Sequence, residues 1–528
     1  MAKKGEGYIS KILAEIPAEG APSEAKAPAE TKPTGWEAPE IPRGAKLLEK
    51  YGECEILSLQ GEVLPLYRLH IPQLTDAEKK LLKVTKERAA EEIKVNPDLT
   101  DPSALRQVFL KETLRIAGEE ARKLHVPSGR VKVISELAVR DMLGYGALDP
   151  LIADDKLEDI LVIGTGKPVY VFHRKYGMCQ TNVVFEDDDS ILYLIEKMAR
   201  VVGRRIDQQV PLLDARLPDG SRVNATIPPV SLAGPTISIR KFRSDPLTVV
   251  DLLSFGTLNL EVASFLWSVV DGFGVKPANI LISGGTGSGK TTTLNTLVNF
   301  CPERERIISI EDTAELQLPH KHWVRLETRP PNIEGRGEIT MDDLVKNALR
   351  MRPDRLIVGE VRGPEALTMF TAMNTGHEGC MGTLHANSAA ETITRLTEPP
   401  MSVPPIMIPA LDLIIMQQRL HHKTKGVVRR ITEVAEVTGL EAGRPQLSRI
   451  YVWDARTDEL RPTNVPSRTL RIISEFSGMS LRELQQEMKQ RQKILGWLLK
   501  KNIRNIQQVG EIIQRYYLEP KSVLKEVD

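Results

Sequence analysis

Residues 284–291 read Gly-Gly-Thr-Gly-Ser-Gly-Lys-Thr, and no other stretch of the chain constrains its fold as tightly. The apolar run Ile280-Leu281-Ile282 enters this turn, and Thr291-Thr292-Thr293-Leu294 leaves it without a breaker, so the local expectation is strand, loop, helix. Glycines let the backbone fold into a concave nest of N–H groups, and the following helix adds the positive end of its dipole. Such a nest suits a phosphate. Lys290 is expected to reach the β- and γ-phosphates of a nucleotide and Thr291 to hold Mg²⁺. Gly284, Gly285, Thr286, Gly287, Ser288, Gly289 and Thr292 complete the expected cradle.

With 528 residues the chain has room for about three domains. Its 71 basic and 70 acidic residues leave a formal charge of +1, and aromatics make up 5%, which argues against a nucleic-acid partner. The apolar stretches at 262–270 and 406–416 are too short or interrupted to cross a bilayer. The start, Met-Ala-Lys-Lys-Gly-Glu-Gly, lacks the apolar core of a signal peptide. Cys54, Cys179, Cys301 and Cys380 lie far apart, so a reducing cytoplasmic compartment without structural zinc is expected.

Residues 17–43 are crowded with Ala, Pro, Glu and Lys, a composition that cannot bury enough apolar surface to order itself. A disordered tether is expected over 1–44. Before it, Tyr8-Ile9-Ser10-Lys11-Ile12-Leu13 reads either as a short docking helix or as an idle terminus. Short strands at 47–70 precede a helix opened by a Thr75/Glu78 capping box, with further helices at 103–124 and 133–143, giving a mostly helical module over 45–143. Residues 157–185 alternate like a small sheet; with a helix at 191–202 and a hairpin at 217–222 they form an α/β domain over 144–243. A linker at 244–250 contains Asp245-Pro246. From 251 to 467 apolar strands alternate with helices, the pattern of a parallel sheet covered on both faces; strands are expected at 280–283, 307–310, 356–358 and 380–384. The pattern weakens beyond Thr438, and 468–528 reads as a helical extension.

Hydrolysis of a bound nucleotide needs carboxylates at the ends of neighbouring strands. Glu311-Asp312-Thr-Ala-Glu315 follows one apolar strand and Glu360 follows another. One acid can polarise the attacking water while the other serves Mg²⁺. His377 and His385 flank the strand at 380–384 in Gly-rich contexts, where they either sense the γ-phosphate and pass a proton or are satisfied structural residues.

Together these elements resemble the secretion ATPase superfamily, the motors of type II and type IV secretion, type IV pili and the archaeal flagellum. The resemblance covers residues 144–528 and rests on several pieces in the family's order. They are Gly146-Ala-Leu-Asp-Pro150, Pro211-Leu-Leu-Asp-Ala-Arg216, Ile237-Ser-Ile-Arg240, the glycine loop, an acid box at 311–315, Leu349-Arg350-Met-Arg352-Pro353-Asp354 leading to Gly359-Glu360, and a histidine box at 375–387. The resemblance implies an α/β architecture: a RecA-like P-loop NTPase domain, a smaller PAS-like α/β N-terminal domain and an additional helical N-terminal module. It also implies an ATPase using ATP and Mg²⁺, with Glu315 as catalytic base, Glu360 as the Walker B carboxylate and metal group beside Thr291, and His377 and His385 as sensors. Arg222 and Arg240 resemble arginines that reach phosphate when domains close. Further implications are a homo-hexameric ring, a polytopic membrane platform protein as partner, and peripheral residence on the cytoplasmic side of the membrane.

The bacterial type II branch carries a four-cysteine motif and reads Arg-Asp after its Walker B acid. This chain has neither, reading Arg362-Gly363-Pro364-Glu365, and that with its tail resembles the archaeal branch. The implied work is assembly or rotation of a pilus-like filament, or related secretion. A nucleic-acid translocase and a monomeric P-loop switch are the competing readings.

Overall fold

The structure is a computed structural model and describes residues 44–72, 74–93, 102–242, 245–331, 335–422 and 426–527. The expected short helix at 8–13 and the tether, up to residue 43, lie outside them. The chain divides into two compact units, Met1–Arg243 and Ser244–Asp528. Among the described residues no helix is long and apolar enough to cross a membrane.

The first unit opens with β1 (Lys46–Tyr51), β2 (Cys54–Ser58) and β3 (Leu66–Leu69), then α1 (Asp76–Glu92), α2 (Pro102–Lys123) and α3 (Ser128–Leu143). The capping box at Thr75 and Glu78 is present at the start of α1. A short α4 (Asp149–Ala153) leads to β4 (Leu157–Val162), β5 (Pro168–His173) and β6 (Gly177–Val184); α5 (Asp188–Val201) precedes β7 (Leu212–Arg216), β8 (Arg222–Thr226) and β9 (Thr236–Arg240). All nine strands form one sheet, ordered β1-β2-β3-β6-β5-β4-β9-β8-β7.

The strands at 46–69 are therefore not part of a separate helical module. They continue the sheet of the α/β domain, because β6 would otherwise leave its backbone groups unpaired at an edge. After two backbone pairs the Asn182 side chain carries the ladder on, accepting from Leu69 N at 2.8 Å and donating to Leu69 O at 2.9 Å. Tyr51 and Tyr67 fasten the junction by donating their hydroxyls to Asp154 at 2.8 and 2.6 Å.

The second unit contains α6 (Val249–Ser254), α7 (Leu260–Asp271), β10 (Ile280–Ser283), α8 (Lys290–Val298), β11 (Ile307–Glu311), β12 (Trp323–Glu327), α9 (Met341–Ala348), β13 (Arg355–Val361), α10 (Glu365–Asn374), β14 (Met381–Leu384) and α11 (Ala389–Thr397). Four long or paired strands follow, β15 (Leu413–His422), β16 (Gly426–Glu441), β17 (Arg444–Asp454) and β18 (Glu459–Pro462), then α12 (Arg468–Ser477), α13 (Leu481–Lys501), α14 (Ile506–Leu518) and α15 (Pro520–Val527). The sheet order is β12-β11-β13-β14-β10-β15-β16-β17-β18. Strands β12 to β15 run parallel and the last four pair antiparallel.

Parallel strands covered on both faces read as continuous apolar runs. Every residue of β10 is buried, and successive side chains serve different cores: Ile280 and Ile282 pack on one face, Leu281 on the other. The helices after 467 are integral to the first of these cores, since Ile473, Leu484, Ile494, Leu498 and Ile513 all pack in it. Arg491 on α13 closes a buried two-bond pair with Asp271 on α7, both at 2.9 Å.

Candidate active site

The glycine loop joins β10 to α8 as its sequence requires. Gly287 and Gly289 hold φ of +71° and +95°, the left-handed region that side chains resist. Gly284 is needed for close approach: a Cβ there would stand 2.1 Å from the carbonyl oxygen of Gln417. Thr293 and Gln417 hydrogen-bond at 2.7 Å, tying the helix to β15. Ser288 Oγ and Lys290 Nζ both donate to Gly285 O, at 2.8 and 3.1 Å. Lys290 is nearly buried, and burial lowers its pKa from the ordinary lysine value. Thr286 and Gly287 are exposed at the tip, while Thr291 and Thr292 are half-buried in the first helical turn.

The acids meet this loop at the C-terminal ends of parallel strands, where open α/β sheets hold their ligands. Glu360 lies within β13 rather than after it. The β13–β14 register slips between Val358 and Val361, an irregularity of the kind that re-aims a side chain. His385, just past β14, places Nε2 at 2.8 Å from Glu360 Oε1 and 3.4 Å from Lys290 Nζ. Burial, then the Lys290 charge, lower the pKa of His385 from the usual histidine value. Arg362 pairs with the other Glu360 oxygen and reaches Asp312 Oδ2 at 3.3 Å.

Glu315 stands exposed on the loop after β11, and a residue that sequence reasoning passed over sets its position. Glu311 Oε1 accepts the backbone N–H groups of Glu315 and Leu316 at 2.8 and 2.9 Å. Leu316 is fully buried beyond them, so the loop is pinned on both sides of the Glu315 side chain. Burial pushes the Glu311 pKa up to about 7. Gly359 makes room for it, because a Cβ there would lie 2.8 Å from Glu311 Cγ.

His377 is not brought to this cluster. It precedes β14 while His385 follows it, and four strand residues at 3.3 Å each separate the two by at least about 13 Å. His377 instead folds onto the end of α10, its N–H donating to Ala372 O at 3.1 Å and its carbonyl accepting from Cys380 Sγ at 3.1 Å. Flanking a strand puts two residues at its opposite ends, which is why His377 stands apart from the cluster that His385 joins.

Arg222 and Arg240 belong to the first unit. They oppose each other where β8 begins and β9 ends, and both are exposed. Arg222 holds Asp214 through two bonds of 3.2 and 2.9 Å. Glu311, Arg362 and Gln417 are the site residues that sequence reasoning missed. Only Glu311 carried a signal, as the first acid of its box.

A divalent cation fits these groups. Glu360 Oε1 is buried and accepts no hydrogen bond, since the approach of His385 has an ion-pair distance without hydrogen-bond alignment. Mg²⁺ is commonly held by one or two protein oxygens together with substrate phosphates, a demand that Glu360 and the Thr291 hydroxyl can meet.

Comparison with known proteins decides the family. The family model described as "Type II/IV secretion system protein" matches residues 143–504. The chain is a type II/IV secretion ATPase. An uncharacterized protein of Methanocaldococcus jannaschii is 35% identical, over 72% of this chain and 76% of that one, in keeping with the archaeal branch of these ATPases. The type IV secretion system protein PtlH of Bordetella pertussis is 32% identical over 56% of this chain and 95% of its own. Among solved structures the chain is similar to the pilus retraction motor PilT with bound ADP, at 21% identity and a TM-score of 0.39, over 70% of this chain and 93% of that one. As a secretion ATPase the chain combines a RecA-like P-loop domain with a smaller α/β domain before it, and it binds nucleotide.

Proposed function

We propose that the chain is a Mg²⁺-dependent ATP hydrolase that works as a homo-hexamer. It drives assembly or rotation of an archaeal type IV pilus-like filament, archaellum or pilus, or related secretion. Its partner is a polytopic membrane platform protein, and it acts at the inner face of the cytoplasmic membrane. The observation that carries this reading is the convergence of Lys290, His385 and Glu360 at the C-terminal ends of neighbouring central strands, beside an acid loop clamped by Glu311.

The loop N–H groups and Lys290 bind the phosphates, a role suited to an ammonium already largely withdrawn from water. Bound Mg²⁺ would neutralise developing charge on the phosphates, with Thr291 and Glu360 as its protein groups. Glu315 takes the proton of the attacking water, held in place by the Glu311 clamp. His385 holds its ring between Lys290 and Glu360, where a γ-phosphate would approach. Arg222 and Arg240 supply positive charge from the first unit when the two units close on nucleotide, which makes turnover depend on closure.

The test is ATP hydrolysis against protein concentration for the parent chain and for Arg240→Ala. Specific activity that climbs with concentration and collapses in the variant supports the assembled motor. Flat activity, equal in both, turns the reading toward a monomeric nucleotide switch.

A further inference from the structure

The β15–β16 hairpin packs against the glycine loop, and it brings two arginines to it. Arg419 and Arg429 are direct cross-strand partners in the antiparallel register. Arg429 Nε donates to the carbonyl of Gly287 at 2.9 Å. A Cβ at Gly287 would lie 3.7 Å from Arg419 Nη1, and one at Gly289 would lie 3.3 Å from Arg429 Cδ. Both guanidinium groups are exposed, and among the described residues neither pairs with a carboxylate.

Like charges directly opposite on neighbouring strands destabilise a sheet. Here two are kept opposite each other at the tip of a loop built to receive an anion. The arrangement is unfavourable alone and relieved once negative charge enters the loop. The carbonyl that Arg429 holds belongs to the loop's most exposed glycine, whose φ is +71°.

We propose that Arg419 and Arg429 belong to the nucleotide site. Arg429 is a positioning residue that braces the phosphate loop through Gly287, and the two guanidinium groups together attract the triphosphate. The proposal rests on residues 284–291 being the phosphate loop. It adds two residues from a hairpin outside every motif of the family resemblance.

The test uses the full chain with Mg²⁺, a fluorescent ATP analogue, and ATP and inorganic tripolyphosphate as competitors. Arg419→Gln should weaken ATP and tripolyphosphate by the same factor, about tenfold for a lost charge-assisted contact, while the ligand-free melting temperature stays level or rises. Arg429→Gln should weaken both ligands, and Arg429→Lys should recover part of the loss. Two results overturn the proposal: tripolyphosphate affinity unchanged in both glutamine variants, or ligand-free stability lowered with affinity intact. Lys290→Ala serves as the separate control. If the parent binds neither ligand, or Lys290→Ala binds like the parent, the phosphate-loop reading itself fails, an outcome distinct from a fault in the arginine proposal.

Discussion

His385 Nε2 lies 2.8 Å from Glu360 Oε1 and 3.4 Å from Lys290 Nζ, so one imidazole touches both the acid and the amine of the candidate site. The ring is half-buried and follows directly from β14, which fixes its backbone. Replacing His385 with Ala removes a group between the two charges without opening a core. The expected outcome is a fall in turnover of about 10² with nucleotide affinity changed much less, as for loss of a positioned polar group. Steady-state kinetics beside equilibrium binding of the ATP analogue check it.

Arg491 and Asp271 form a pair that neither partner can leave. Both are buried, and the guanidinium lies 4.5 Å from the Phe273 ring centroid and 5.3 Å from that of Trp267. Arg491→Ala would strand the Asp271 carboxylate, costing about 3–5 kcal/mol of stability. Replacing both residues with apolar ones of similar size should restore much of it. Chemical denaturation of the two variants distinguishes a stranded charge from simple loss of packing.

Glu311 gives a pH dependence with a definite sign. Burial raises its pKa from 4.5 to about 7; Arg325 on β12 opposes the shift and Glu315 on its own loop adds to it. Between these values the folded chain binds more protons than the unfolded one. Stability from this group is therefore full below pH 4.5 and is lost as pH rises to 7, by on the order of 3 kcal/mol. Asp412, raised to about 6 by burial, acts in the same direction at lower pH. The difference between the parent and Glu311→Gln, followed by denaturation from pH 4.5 to 8, isolates the Glu311 contribution. The variant should show a flatter profile, with the contrast in slope greatest near the midpoint of the two pKa values, between about pH 5 and 6.5.

The glycine loop was legible because Gly287 and Gly289 answer backbone angles set within the turn itself, whereas the need for Gly284 comes from Gln417 on a distant strand. Glu360 was legible as an acid near the end of an apolar strand, but the register slip inside β13 that surrounds it was not. His377 and His385 were grouped by their Gly-rich contexts, although two residues that flank a strand stand at its opposite ends whatever its pairing. The hairpin β15–β16 and its partner β17 hid for a different reason. Register shifts at Met416/Gln417, Val434/Ala435 and Val437/Gly439 break the two-residue alternation by which strands are recognised. Gln417, Arg419 and Arg429 all sit on that obscured hairpin. The joining of β3 to β6 was invisible because it links residues over 110 positions apart, through an asparagine side chain as much as through backbone.

The most direct measurement is Mg²⁺-dependent ATP turnover by the full chain and by Glu315→Gln, with ATP affinity determined in parallel. The Glu311 clamp holds backbone atoms and survives this substitution, so the variant tests the side chain alone. Turnover is expected to fall by about 10² or more while affinity stays near that of the parent, as for loss of a general base. Turnover equal in the two chains would contradict the role of Glu315, and a parent chain that binds ATP without hydrolysing it would contradict the motor.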